Sequence, residues 1–518
     1  VSAVIGGNVP ASALASEIKQ DLKTEVAPDI TVAKLFVMGA ALISLYVDQS
    51  FGGSYTTIQS YAGGSLGMSV DELSWATIGY NACYWPILLL TPWLIGKLGR
   101  RSIFTAGHAL FAIVSLFLAL TASMHGFIIG RCIQGFAQGT FFVCSVATVL
   151  TLFPPKYRGI AFAIFSVTSL SGAASGAFVG GWFIDHEYWR GVFVLYGALT
   201  LVAGIVVATL LEAPGPQKNV TSDWTGVSVF FVACFAFNYV TAYGERRDWL
   251  ADGWIVFYIG LFVVAITAFV LRELKLGEKA FIRLNLFGTG NLAVGSALGF
   301  GLGAPLFGAN EFLIYAQTQL GLPPSTAGAL LTLRILAILF VAPTAVLLVN
   351  AGKIDVKIPV ALGFVFVPAS YALLSMQTTY ASNFWTFAFA LVLSGAGFAC
   401  LFSPIANVTV RSLPPPLSPQ GIAIFKLMLL LGGSIGSTAL TVLYDHSYDE
   451  FLSLLAGHAT MRHLTQIGLP AIPPAAYSGL VKAQAAVLAY ADNSKWVAFS
   501  ALFNIPLIFL LKPPPKNA

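Results

Sequence analysis

Charge is scarce in this sequence. Only 9% of its 518 residues are Asp, Glu, Lys or Arg, against about 25% in a soluble domain, and mean hydropathy is +0.81. So few charges cannot cover the surface of a water-soluble protein of this length. Cysteine is scarce too. Cys83, Cys132, Cys144, Cys234 and Cys400 all lie in apolar stretches and read as small hydrophobes, not a disulfide framework. The six histidines (His108, His125, His186, His446, His458 and His463) are scattered. Only the last two approach metal-ligand spacing, so the six read as surface or loop residues and no metal site is expected. No G-x-x-x-x-G-K-[ST] occurs, which excludes ATP hydrolysis by a phosphate loop, and no H-E-x-x-H occurs. G-x-S-x-G matches at Gly63-Ser65-Gly67 and Gly432-Ser434-Gly436, but neither match has the preceding strand and partnered histidine of a nucleophile elbow. The expectation is a chain that is not an enzyme, needs no cofactor and has no nucleic-acid partner.

What the chain has instead is long apolar runs. A bilayer core takes roughly 20 apolar residues per helix. Runs near that length fall at 31–54, 73–95, 102–122, 126–150, 159–184, 191–211, 225–243, 253–271, 290–316, 325–349, 357–376, 384–408, 421–443 and 495–511. They are too long, and alternate too little, for barrel strands. The fold class is therefore an all-α membrane protein of 14 transmembrane helices. Orientation follows from Lys and Arg. With the N-terminus inside, 18 of the 27 fall on the cytoplasmic side, 6 outside and 3 within spans. That bias places both termini in the cytoplasm. Residues 1–30 and 512–518 read as cytoplasmic tails; the short interrupted apolar runs of the first are not a signal peptide. The longest extramembrane stretch, 444–494, falls outside and reads as two helices broken by Pro470, Pro473 and Pro474.

The chain also carries a trace of duplication. Leu152-Phe-Pro154-Pro155, followed by Gly159-Ile160-Ala161 and Phe165, is echoed by Leu413-Pro414-Pro415, followed by Gly421-Ile422-Ala423 and Phe425. A glycine-rich span follows each. Parallel repeats of this kind mark transporters whose halves rock about a midplane site. The division expected is a six-helix half over 31–212, a linker with two extra helices over 213–288, and a second six-helix half over 289–511.

Several further motifs occur in a telling order. They are Arg131-x-x-Gln134-Gly135-x-x-x-Gly139, Gly172-x-x-x-Gly176-Ala177-x-x-Gly180-Gly181, Trp189-Arg190-x-x-Phe193, Asp223-Trp224-x-Gly226, Gly244-x-x-x-Asp248-Trp249 and Tyr315-x-Gln317-x-x-Leu320-Gly321. Together they resemble the fourteen-helix drug–proton antiporters of the major facilitator superfamily, the EmrB-type exporters. The resemblance implies the major facilitator fold: two six-helix halves and two extra central helices. It implies efflux of small amphipathic compounds, organic anions or drugs, across a bacterial inner membrane against a proton gradient. It also implies that 444–494 faces a periplasmic adaptor and, through it, an outer-membrane channel. Two other readings stand beside it, a proton-coupled importer of a small organic acid and a membrane-embedded sensor or enzyme. The chain departs from the family after the second helix, where G-x-x-x-D-R-x-G-R-R becomes Pro92 to Arg101. Gly99, Arg100 and Arg101 survive there as gating candidates, while the aspartate is lost. Ala177 replaces a proline, Lys426 stands where Asn is common, and Leu429 where Arg is common.

Charges within spans are costly and point to function. Asp48 matches the family's embedded aspartate and is a candidate proton site, with Arg131 as its switching partner; a static pair that orients helices is the plainer reading. Glu311 and Arg334, on consecutive spans, are a candidate second pair, with Glu311 as a further proton site and Arg334, like Lys426, as a candidate substrate contact. Lys426 then remains unmatched, and an unmatched cation in a cavity favours an anionic substrate. Tyr84 and Trp85, with Trp75 and Tyr80, either line the cavity or belong to a lipid belt or the packed core. Gly172, Gly176 and Gly180 share one helix face; with Gly181 they are candidates for close packing or for a sliding face between the halves.

Overall fold

In the computed structural model the residues described are 31–153, 157–212, 223–277, 282–288, 291–379, 384–414, 417–458 and 474–512, with single positions 215, 280 and 382. The expected tail 1–30, residues 513–518 and the centre of the 444–494 stretch lie outside them. Backbone polar groups in a bilayer must be satisfied within the segment. Accordingly, the described residues form fourteen helical rods: α1 Val32–Leu66, α2 Val70–Leu98, α3 Arg100–Leu120, α4 Met124–Leu152, α5 Arg158–Asp185, α6 Gly191–Leu210, α7 Trp224–Tyr243, α8 Gly253–Leu276, α9 Leu292–Thr318, α10 Pro324–Asn350, α11 Lys357–Gln377, α12 Phe384–Arg411, α13 Ser418–His458 and α14 Pro474–Leu502. Twelve of these are long and apolar enough to cross a membrane by themselves. The other two, α2 and α14, run within the same bundle. The two helices expected in 444–494 are not separate: one continues α13 and the other opens α14.

Local chemistry sets the ends. Ser69 and Glu72 form a capping box that starts α2, and Asp223 and Asp252 accept from the first N–H groups of α7 and α8. α1 stops at Gly67, whose φ of 64° suits a residue without a side chain. Three rods are interrupted, α4 at Gly139–Thr140, α9 at Gly308 and α10 at Leu333. Irregular backbone at membrane depth persists where protein covers it or it lines a cavity; the breaks in α9 and α10 adjoin Phe307 and Arg334 of the cavity described below.

Packing repeats along the chain. The pairs α1·α5, α3·α6, α2·α4, α3·α4, α1·α6 and α1·α4 recur as α9·α13, α11·α14, α10·α12, α11·α12, α9·α14 and α9·α12. The cross-contacts are reciprocal as well: α5 meets α10, and α13 meets α2. α7 and α8 pack on each other, with α7 also on α2. α8 leaves Val256, Phe257, Val263, Val264 and Leu271 exposed, the composition of a lipid-facing surface.

One histidine departs from the surface reading. His108 on α3 is fully buried. Its ring lies between Phe104 and Phe141 (centroids 4.5 and 4.7 Å). Nδ1 donates to the Phe104 carbonyl, and Nε2 is 2.6 Å from the Ser44 hydroxyl on α1. Both ring nitrogens are thus satisfied inside an apolar span, which is what permits burial.

Candidate functional site

Between the two six-helix groups lies a cavity of about 280 Å³, lined by α1, α2, α4 and α5 on one side and α9, α10, α12 and α13 on the other. Its charged lining residues are Asp48, Arg131, Arg334 and Lys426. Four of the five intramembrane charges expected to matter thus meet in one place. Glu311 falls in α9, but its side chain lies outside the described residues.

The pairing differs from the expected one. Asp48 on α1 faces Lys426 on α13, with Nζ 3.9 Å from Oδ2 and both side chains out of solvent. The Tyr84 hydroxyl donates to Asp48 Oδ1 (2.8 Å), and Gln138, at the break in α4, donates to the Asp48 carbonyl (3.2 Å). Lys426 Nζ donates to Gln49 Oε1 (2.8 Å) and lies 4.9 Å from the Phe142 ring centre. Asp48 Oδ2 has no hydrogen-bond partner. Lys426 is therefore not the unmatched cation.

Arg131 is not the partner of Asp48. Its guanidinium lies over Tyr55 (3.7 Å), Tyr80 (4.2 Å) and Phe51 (5.2 Å), and Nη1 donates to Gln134 Oε1 (2.6 Å). Ring faces and an amide supply what a carboxylate would have supplied. Arg334, beside the break in α10, is also buried. Among the described residues it has no carboxylate within ion-pair distance. It lies 5.3 Å from the Phe398 ring centre, and its Nε and Nη2 lack hydrogen-bond partners. An arginine at mid-bilayer depth costs about 3 kcal/mol or more, and among the described residues no counter-charge offsets it.

Tyr84 and Trp85 line the cavity, as does Tyr80, stacked on Tyr84 at 5.6 Å. Trp75 does not; it packs on Phe235, Tyr239 and Tyr243 of α7. The face of Gly172, Gly176 and Gly180 is an interface with α1, not a sliding face between the groups. A Cβ there would meet Gln49 and Tyr46, Ser50, and Ser54 respectively. Gly181 alone of the four reaches across, against Pro324 and Ser325 of α10, and Ala177 abuts Gly328 nearby. Small-residue spacing announces close approach but does not name the partner helix. Gly99 takes φ 85° between α2 and α3. Arg100 donates to the Ala147 carbonyl and Thr151 hydroxyl on α4 (2.8 and 2.9 Å), and Arg101 to the Ala208 carbonyl on α6. These basic residues tie helices α3, α4 and α6 together.

On α1, α2 and α13 the lining begins at Asp48, Trp85 and Lys426 and runs away from the face where α1 begins. Toward that face the bundle is plugged. Phe142 (α4), Phe165 (α5), Phe402 (α12) and Phe425 (α13) are buried, and Phe165 stacks on Phe402 at 6.3 Å across the two groups. Beyond the plug, Asn350 at the end of α10 accepts from Asn407 (2.8 Å) and from Arg411, and Gly159 of α5 closes on Asn350. The sequence showed the plug only through Phe165 and Phe425 of the internal repeat, and it did not single out Gln49, Gln138 or Tyr55. Their one signal was adjacency, of Gln49 to Asp48 and of Gln138 to the Gln134–Gly139 motif.

The family model of the Major Facilitator Superfamily matches residues 37–309, just over half of the chain. The chain belongs to the Major Facilitator Superfamily. Among curated relatives it is similar to the multidrug export protein EmrB of Haemophilus influenzae, 22% identical over 87% of this chain and 90% of that one. It is also similar to the fatty acid resistance protein FarB of Neisseria gonorrhoeae, 24% identical over 89% and 93%. A solved POT family transporter in complex with 5-aminolevulinic acid shares the fold, with TM-score 0.59 and 14% identity over 91% of this chain and 96% of that one. This superfamily member is a multi-pass membrane protein that transports small molecules.

Proposed function

We propose that this transporter is an EmrB-type, proton-coupled exporter of small amphipathic compounds in a bacterial inner membrane, with Asp48 as the proton site. The observation that carries the reading is the buried contact between Asp48 on α1 and Lys426 on α13, which bridges the two six-helix groups at the cavity floor. At about 4 Å and an effective dielectric of 20, such a pair attracts by about 4 kcal/mol. The excess of Lys and Arg on the face where α1 begins makes that face cytoplasmic. The plug then seals the cavity from the cytoplasm, and Asp48 is approached from outside.

The cycle follows from the charge. With Asp48 ionised, the pair draws α1 toward α13 and favours this closed inner side. A proton from the acidic outside neutralises Asp48 and removes the attraction, and the two groups swing apart at the cytoplasmic plug. Inside, the proton leaves, substrate enters, and the restored pair closes the plug and turns the cavity outward. Relatives named for multidrug export and for fatty acid resistance support the export direction. The extensions of α13 and α14 beyond the bilayer are the surface an adaptor would use. In proteoliposomes, an imposed pH gradient is expected to drive substrate against its own gradient, with the movement collapsing on addition of an uncoupler. Uncoupler-insensitive transport would refute the reading.

A further inference from the structure

We propose that Arg334 is the headgroup site of this cavity and that the substrate is an amphipathic organic anion, gripped through a carboxylate or sulfonate. This rests on the transport reading above and names the substrate class for the same cavity. The first observation is the unsatisfied edge. Arg334 is 5% exposed, lines the cavity, and leaves both Nε and Nη2 without a hydrogen-bond partner. Those two nitrogens form the side of a guanidinium that grips an oxyanion with two parallel hydrogen bonds. The same chain shows that edge in use: Arg272 holds Asp223 Oδ1 by Nε and Nη2, at 2.9 and 2.6 Å.

The second observation is the charge of the lining. Asp48 and Lys426 offset each other at 3.9 Å. Arg131 is held by Gln134 and by the rings of Tyr55 and Tyr80. Arg334 lies 5.3 Å from the ring of Phe398, with the hydroxyl of Tyr371 beside it, and neither group brings a negative charge. The described lining therefore carries an excess of positive charge; Arg131 Nε and Gln49 Nε2 also lack partners, but only Arg334 leaves two donors vacant on one edge. A cation entering this space would meet that excess; an anion would satisfy it. The rest of the wall near Arg334 is apolar: Leu306, Phe307, Leu331 and Ile338. An apolar or aromatic body beside an oxyanion fits both surfaces. Lys at this position would keep the charge and lose the fork.

The test is equilibrium binding to the full chain in nanodiscs of zwitterionic lipid, with no pH gradient. The probes are 1-naphthalenesulfonate and 1-naphthyltrimethylammonium, matched in body and opposite in charge. The wild type is expected to bind the sulfonate at least tenfold more tightly. Arg334→Gln should weaken sulfonate binding at least tenfold and leave the ammonium within threefold. Arg334→Lys should fall between. Equal affinity of the wild type for both probes, or unchanged sulfonate binding in a folded Arg334→Gln, overturns the proposal. If Arg334→Gln does not fold, the wild-type preference and Arg334→Lys decide. Loss of sulfonate binding in phosphatidylglycerol nanodiscs would assign the site to a lipid headgroup and also overturn it. Because no gradient is present, failure here leaves proton-driven transport of a neutral or cationic substrate intact, so the two readings fail separately.

Discussion

Arg131 and Arg334 occupy corresponding walls of one cavity and are treated in opposite ways. On the α1–α6 side, Gly135 of α4 lets the backbone of Tyr80 on α2 come close, and the Tyr80 ring lies under Arg131. On the α9–α14 side, Gly395 of α12 admits the backbone of α10 in the same manner, but the residue at the contact is Arg334 itself. The duplicated scaffold thus presents an aromatic ring at one contact and a guanidinium at the other. Arg131 is held by three rings and Gln134 with Nε alone unpartnered, whereas Arg334 leaves both Nε and Nη2 open to a ligand.

That contrast can be broken by substitution, and the largest effect falls on the caged side. Arg131→Gln should destabilise the protein by about 2 kcal/mol or more, since desolvated cation–π contacts are each worth up to about that, and should lower the thermal midpoint clearly. Arg334→Gln should leave the ligand-free midpoint unchanged or raise it, because it removes a buried charge that has no counter-charge among the described residues. Equal losses in a thermal melt would erase the distinction. Next come the two close approaches. Gly135→Ala and Gly395→Ala both place a Cβ against a backbone carbonyl of the neighbouring helix, and a small-to-large change in a packed site costs about 1–3 kcal/mol. Similar losses in both would support the matched geometry; a loss in only one would show that the two walls are not equivalent.

How much of this was legible beforehand follows the physics of each signal. The spans are readable because the bilayer demands length and apolarity of each one locally, and α10, expected at 325–349, runs Pro324–Asn350. The Asp48–Lys426 pair joins positions far apart in the chain, and no local pattern encodes which charge meets which. A carboxylate was the natural guess for Arg131; three rings from two other helices did the work instead. The glycine face allowed close packing or a sliding face between the halves, and its neighbour is α1, since i, i+4, i+8 spacing specifies a face and nothing beyond it. His108 was misread because a polar residue in an apolar run was given no buried partner, whereas Ser44 supplied one.

The smallest expected effect lies away from the cavity and sharpens the contrast from the other direction. Asp223 and Arg272 are an arginine fork already filled. Burial works against the charge of Asp223, yet the Arg272 fork and the Gly226 N–H hold its carboxyl below the usual carboxylate range. A depressed carboxylate stabilises the fold above its unfolded value, roughly pH 4, and loses that contribution as pH falls through the folded value. Asp223→Asn should therefore lower the thermal midpoint by a degree or two at pH 7 (on the order of the exposed-pair range), with the gap closing toward pH 3. A gap that stays constant with pH would mean that the pair adds shape and no charge energy.

The central claim is that Asp48 holds the coupling proton, and one comparison tests it most directly. Asp48→Asn, reconstituted in proteoliposomes, is measured in two modes: accumulation driven by a pH gradient, and counterflow exchange of labelled for unlabelled substrate with no gradient. The account predicts that gradient-driven accumulation is lost, because no proton can bind or leave, while counterflow is slowed but not abolished, because the pair that closes the plug is missing and the cavity with its headgroup site remains. Gradient-driven accumulation at the wild-type level in Asp48→Asn would contradict it.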